Sequence, residues 1–88
     1  MKTFPLVISS PDGNVWEGEA YMLSVRGIAG ELAVMAGHIP FITSLVPCEC
    51  KIDVSEDTDL VGKIDGGLLT VSPDRVTLLC GSFEMLTK

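Results

Sequence analysis

The stretch GLLTVSPDRVTLLC, Gly67 to Cys80, sets two short apolar runs, GLLTV and VTLLC, on either side of SPDR. Pro73 presets a turn φ, and Ser72 and Asp74 can bond nearby backbone groups, so SPDR reads as a reversal. Val and Thr suit a pleated surface, and each run has strand length rather than helix length. The stretch is therefore predicted to be a β-hairpin.

The same grammar extends outward in both directions. Before the hairpin lie LVGKI and the turn residues Asp65, Gly66 and Gly67, and before those the acidic turn SEDTD. CECKIDV alternates, placing Cys48, Cys50, Ile52 and Val54 on one face and Glu49, Lys51 and Asp53 on the outward one. TFPLVIS puts Phe4, Leu6 and Ile8 on one face, with Pro5 suited to an edge or a strand start, and SSPDGN closes a hairpin. Val15 to Arg26 is long for one strand, and Gly18 is expected to bulge or kink it so that it serves two sheets. RGIAGE and AGHIP read as turns around the strand LAVM, FITSLV as a strand, and Phe83 to Leu86 as a last short one. About ten short strands and no helix longer than one turn imply an all-β fold, a β-sandwich whose two sheets bury each other's apolar faces, as one domain over 1–88.

Composition narrows the function classes. Twelve acidic residues against six basic ones, a net charge of −6, repel phosphate backbones, which argues against nucleic acid as a partner. With no Lys/Arg cluster there is no grip on anionic lipid. The run from Leu32 to Cys48 lacks charge but carries Gly37, His38, Pro40 and Pro47, and it falls short of the ~20 apolar residues of a membrane helix. MKTFPLVISSPDG has too short an apolar segment for a secretory signal, so the chain reads as soluble and not exported, without membrane insertion. Three cysteines, an odd number, fit reduced thiols.

Candidate chemistry is sparse. His38, the single histidine, would need Cys48, Cys80, Ser44 or Glu31 as a partner for catalysis, yet no nucleophile-elbow pattern surrounds them. Cys48, Cys50, Cys80 and His38 could form a thiolate-rich metal site, but two cysteines one residue apart on a strand suit packing better than the spacing zinc uses. GxGxxG and GxxxxGK[ST] phosphate loops are absent, and Glu56, Asp57 and Asp59 lack the frame of a calcium loop. Trp16 could be the platform of a small ligand-binding β-sandwich module, although core packing is its ordinary role. These residues point to no catalytic group, cofactor or metal.

The order of motifs is more informative than any single residue. GIAGELAVMAGHIP, from Gly27 to Pro40, fits the pattern G-x-x-G-E-L-x-[VI]-x-x-G-H-x-P. GGLLTVSPDRVTLL, from Gly66 to Leu79, fits G-G-x-[LV]-x-V-x-x-x-x-V-T-[IV]-L except at Leu78. Both, with FPLVISSP and WEGEA before them, resemble the N-terminal domain of the F-type ATP synthase epsilon subunit, called delta in mitochondria. The resemblance implies a β-sandwich of about ten strands and a non-catalytic rotor subunit that binds gamma and the ring of c subunits, coupling proton or sodium transport to ATP synthesis.

By that resemblance Arg26, Gly27, Ile28, Ala29, Gly30, Glu31 and Leu32 match the loop that meets the c-ring, with Glu31 offering a carboxylate to basic side chains. Ser10, His38, Ile39, Pro40, Phe41, Ile42 and Thr43 match positions that face gamma. A peripheral place at the cytoplasmic face of a bacterial inner (plasma) membrane follows from the same likeness. The family usually continues into two C-terminal helices, whereas this sequence ends at Lys88 without a helical domain. PCEC stands where Pro-Gly is usual, and Asp65 where a small or hydroxyl residue usually precedes the two glycines.

Overall fold

The computed structural model describes residues 2–37 and 39–86, which form ten β-strands and no helix. They are β1 (Phe4–Ser10), β2 (Gly13–Ala20), β3 (Met22–Gly27), β4 (Gly30–Met35), β5 (Phe41–Leu45), β6 (Cys48–Asp53), β7 (Asp59–Ile64), β8 (Gly67–Val71), β9 (Val76–Cys80) and β10 (Phe83–Met85). Hydrogen-bonded neighbours run β10-β7-β6-β3-β5-β8-β9-β1-β2, with β4 added on β3. All pairs are antiparallel except β1 with β9. The predicted hairpin is β8–β9, paired from Gly67↔Cys80 to Val71↔Val76 and closed by Ser72 and Arg75.

The path folds into two halves that share one core, the sandwich expected from the sequence. Leu6, Ile8, Leu69, Val76 and Leu78 from β1, β8 and β9 meet Leu23, Val34, Cys50, Ile52 and Ile64 from the other half. Trp16 is half-buried against this cluster, in the packing role rather than on an open platform.

The halves join at a corner built on β3. One edge of β3 pairs with β4 from Met22 to Gly27; the other is divided between β6, which takes Met22 to Ser24, and β5, which takes Gly27 opposite Leu45. The Ile28 N–H donates to Ser44 O at 3.1 Å, and the Val46 N–H to Arg26 O at 3.2 Å. Pro47, with no N–H to place, follows as the chain passes from β5 to β6. A Cβ on Gly27 would lie 3.2 Å from Leu32 Cδ2 and 3.4 Å from Ser44 O, so glycine fits the close approach and a methyl there would have to displace the Leu32 side chain by a few tenths of an ångström.

Two local expectations are corrected. Val15 to Arg26 is two strands, and the break falls at Tyr21, whose N–H donates to Asp53 O, rather than at Gly18. The β1–β2 bulge also lies elsewhere: Ile8 pairs with Trp16 and Ser9 with Asn14, leaving Val15 as the extra residue. Gly18 instead makes room for the Trp16 ring, which would stand 3.1 Å from an added Cβ. Pro5, of the two places expected for it, takes the strand start: β1 is interior, paired with both β2 and β9, and Pro5 precedes the first β9 partner, Leu6↔Val76, so its missing N–H costs little there. Asp53, expected outward, is buried. The acidic turn folds back over the end of β6, and Lys51 Nζ stands 3.8 Å from Asp53 and 3.6 Å from Asp59, offsetting the two adjacent carboxylates.

Gly67 is the most constrained glycine of the β8–β9 pair, with φ of +152° and the space of a Cβ filled by the Leu79 carbonyl oxygen. Gly67→Ala is expected to lower unfolding free energy by about 3 kcal/mol in urea denaturation, from backbone strain plus displacement of a paired strand. A loss within about 0.5 kcal/mol, the range of a neutral surface change, would contradict this register.

Candidate functional site

The charge pattern of the two outer faces differs sharply. On the half made of β3, β4, β6, β7 and β10, residues paired across the outside include Glu84↔Lys63↔Glu49, Arg26↔Glu31 and Val61↔Lys51↔Ser24↔Ala33. Three cations and three anions interleave there, which is a solvated surface. On the other half the outward rows are Ile42↔Thr70↔Thr77↔Val7 and Ser44↔Leu68↔Leu79↔Ser9. These rows, from β5 to β1, contain no charged side chain, and Ile42, Leu68 and Leu79 are exposed at 67%, 38% and 45%. Glu17 on β2 is the first charge met beyond them, opposite Val7.

Of the residues expected on the gamma side, Ile42 lies on this apolar face, while Phe41 and Thr43 point toward the opposite side of β5 by strand alternation. Phe41 pairs with Val71 and is partly exposed at the end of the strand; Thr43 is half-buried, and its Oγ1 would meet a Cβ on Gly27 at 3.5 Å. Ile39 and Pro40 precede β5 and are exposed. His38 lies outside the described residues. The Ser10 hydroxyl serves its own hairpin, accepting the Asp12 N–H at 3.3 Å and donating to Gly13 O at 3.5 Å.

Leu68, Thr70, Thr77, Leu79, Val7 and Ser9 were not singled out in the sequence. Their signal was present in the paired leucines of GLLTV and VTLLC, which put an apolar residue on both faces of each strand where a solvated strand would alternate.

The second candidate surface is the tip of the β3–β4 hairpin. Gly27 pairs with Gly30, so Ile28 and Ala29 form a two-residue loop, with Gly30 at φ +128°. Ile28 projects 71% exposed. The Glu31 carboxylate is exposed as expected but already paired: Arg26 Nη2 donates to its Oε1 at 3.1 Å. Such a pair in water is worth roughly 0.2–1 kcal/mol, so a competing cation displaces Arg26 at small cost. Leu32 turns inward and packs on the core.

The thiols divide between the halves. Cys48 and Cys50 are on β6 and Cys80 on β9; Cys50 and Cys80 are buried, and Cys48 is half-buried. Cys48 Sγ stands 3.9 Å from Arg26 O, and Cys80 Sγ 3.5 Å from Ser9 O. Burial, reinforced by the neighbouring Cys48, pushes the Cys50 thiol up to about 11, and burial with the Asp65 carboxylate raises Cys80. Among the described residues no three His, Cys, Asp or Glu side chains come together to hold a metal ion. Asp65, the departure noted before the paired glycines, has a structural use: its Oδ1 accepts the N–H groups of Gly81 and Ser82, each at 3.0 Å, and so fastens the β9–β10 turn.

Comparison with known proteins agrees with this architecture. The family model described as the ATP synthase delta/epsilon chain, beta-sandwich domain, matches residues 3–86. ATP synthase epsilon chains of Bacillus thuringiensis (strain Al Hakam) and Bacillus mycoides (strain KBAB4) are each 42% identical over 84 residues, covering 96% of this chain and 62% of theirs. The chain thus spans 62% of the length of these curated relatives. Among solved structures, a chain of the Euglena gracilis mitochondrial ATP synthase (OSCP/F1/c-ring, rotational state 1) superposes with a TM-score of 0.89 at 20% identity, over 96% of this chain and 54% of that one. A chain of the Tetrahymena thermophila mitochondrial ATP synthase central stalk/c-ring gives 0.78 at 11% identity, over 93% and 66%. At those identities the likeness is one of fold.

The Cys50 thiol makes stability fall in alkali. Its folded pKa lies above the unfolded value of 9.0, so below pH 9 both states hold the proton, and between about 9 and 11 only the folded state does. Unfolding then releases a proton, and stability drops as pH rises through that window, by up to about 2 kcal/mol. Urea denaturation at pH 8 and pH 10.5 is expected to reveal this loss, and Cys50→Ala to reduce it; an unchanged alkaline loss in that variant would contradict the assignment.

Proposed function

The chain belongs to the ATP synthase delta/epsilon-chain β-sandwich family, and from that premise we propose that it is a non-catalytic rotor subunit of the central stalk, joining the gamma subunit to the c-ring. It works at the cytoplasmic side of a bacterial plasma membrane as a peripheral part of the complex. Among the described residues no helix is long and apolar enough to cross a membrane. Its contribution is mechanical: it transmits torque between shaft and ring by holding both, and uses no bond-making group.

The observation that carries this reading is the contrast between the two outer faces. A charge-free row pair centred on Ile42, Leu68 and Leu79 suits a large protein partner, because covering the apolar area they still expose contributes roughly 25 cal/mol per Å². The gamma contact therefore extends from the segment Ile39 to Thr43 across β8 and β9 to Ser9 on β1, beside Val7, which is itself nearly covered. Ser10 lies at the end of that surface, within the turn it caps. The hairpin tip from Arg26 to Leu32 meets the c-ring, with Ile28 as its projecting apolar group and Glu31 as the carboxylate released when a basic side chain replaces Arg26.

Two variants separate the faces. Leu79→Asp places a charge in the middle of the apolar rows and is expected to weaken association with purified gamma by at least about tenfold, or ~1.4 kcal/mol. Glu49→Lys, on the charged face, should leave that association unchanged; equal losses in the two variants would overturn the assignment. Glu31→Lys is expected to weaken attachment to the c-ring more than attachment to gamma in reconstituted complexes. Equal weakening at both contacts would contradict the division of surfaces.

A further inference from the structure

The chain contains two Asp-Gly bonds, Asp12–Gly13 and Asp65–Gly66, and their surroundings are opposite. Asp-Gly is the dipeptide in which a side-chain carboxyl is most readily attacked by the next backbone nitrogen, because glycine offers that nitrogen no steric cover. The attack needs two freedoms: the carboxyl must swing toward the following N–H, and the glycine backbone must rotate to accept a five-membered ring.

At Asp65 both freedoms are removed. Oδ1 is held by the N–H groups of Gly81 and Ser82, each at 3.0 Å. Gly66 is buried, and a Cβ there would lie 3.1 Å from Leu45 O, while the next residue, Gly67, is paired with Cys80 and leaves no room for a Cβ beside Leu79 O. At Asp12 the restraint is far smaller, Gly13 being held by its pairing with Ser10 at the last rung of the β1–β2 ladder. Asp12 and Gly13 are exposed at the tip of the β1–β2 hairpin, and nothing stands within 4 Å of a Cβ built on Gly13. Asp12 is engaged through its own N–H, which donates to Ser10 Oγ, and among the described residues no donor holds its carboxylate.

We propose that Asp12–Gly13 is a site of isoaspartate formation in the folded protein, and that the same bond type at Asp65–Gly66 is protected by the fold. The Gly13 nitrogen attacks Cγ of Asp12 in its carboxylic acid form; the N–Cγ bond forms, the Cγ–OH bond breaks, the hydroxyl departs with the amide proton as water, and a succinimide results. Water then adds to one of its two carbonyls. Addition at Cγ restores aspartate, whereas addition at the main-chain carbonyl carbon breaks that carbon's bond to nitrogen and leaves isoaspartate. No other reactant is needed, and the net change is an isomerisation without change of mass. The product carries one additional backbone carbon between Ser10 and Gly13, the residues that close the hairpin. It also presents a main-chain carboxylate, the group that a protein-isoaspartyl methyltransferase recognises, so the enzyme class that would act on this turn is a methyl transferase of that kind.

The test is prolonged incubation of the folded protein near neutral pH and body temperature. Labelling with a protein-isoaspartyl methyltransferase and a labelled methyl donor follows, and the peptides holding Asp12 and Asp65 are read separately. Label at Asp12 is expected to exceed that at Asp65 by at least about tenfold, the factor that ~1.4 kcal/mol of hydrogen bonding lost on attack provides. The same incubation in concentrated urea should bring the two sites to similar labelling, because the protection of Asp65 is then gone. Asp12→Ser should abolish the native-state label while leaving the urea label at Asp65. Comparable labelling of both sites in the folded protein, or preference for Asp65, would overturn the proposal, as would a native-state difference that persists undiminished in urea.

Discussion

The sandwich turns on the close approach of β5 to the end of β3. Gly27 faces Leu45, the Ile28 N–H reaches Ser44 O, and the Val46 N–H reaches Arg26 O. These bonds let one strand belong to both halves: β3 gives the first part of an edge to β6 and the last part to β5. Side-chain space at Gly27 is narrow, bounded by Leu32 and the backbone of Ser44, so bulk at the corner has to displace the Leu32 side chain. Beyond the corner the registers run antiparallel from β5 to β9 and from β6 to β10, and the parallel β9–β1 pair then carries the sheet on to β2. The apolar faces of the two halves then meet in one core.

The corner also determines what each outer face displays. Along β3 and β6 the outward residues include Arg26, Glu49 and Lys51; Arg26 and Glu49 stand opposite Glu31 and Lys63, and Lys51 lies between Ser24 and Val61. Along β5, β8, β9 and β1 the outward residues are Ile42, Leu68, Leu79, Val7, threonines and serines. A charged face of mixed sign is satisfied by water; a charge-free face with exposed isoleucine and leucine is satisfied better by a protein surface. Between the two energy scales present, apolar burial over several side chains exceeds the single exposed Arg26–Glu31 pair. On the proposed reading this leaves the broad, strong contact to the shaft and a small, adaptable one to the ring.

Much of this architecture was legible in the sequence, because turn chemistry marks the strand ends: SPDR, SSPDGN, the glycines of RGIAGE and the acidic SEDTD all fall at reversals. What could not be read was long-range. Gly18 resembles a kink until the Trp16 ring is seen to lie over it, and the break at Tyr21 depends on its bond to Asp53, far away in sequence. Asp53 obeys the alternation of β6, yet the acidic turn that closes over the strand end buries it. The parallel pairing of β1 with β9 joins the two ends of the chain and has no local signature. The apolar face was half visible, in the doubled leucines of β8 and β9. Its extent needed the registers that bring Ile42, Leu68 and Leu79 side by side.

Hydrogen exchange of the chain alone and bound to the gamma subunit tests the assignment of faces most directly. The account predicts new protection confined to β5, β8, β9 and β1, with β6, β7 and β10 exchanging as in the free chain. Protection concentrated instead on β6, β7 and β10 would contradict it.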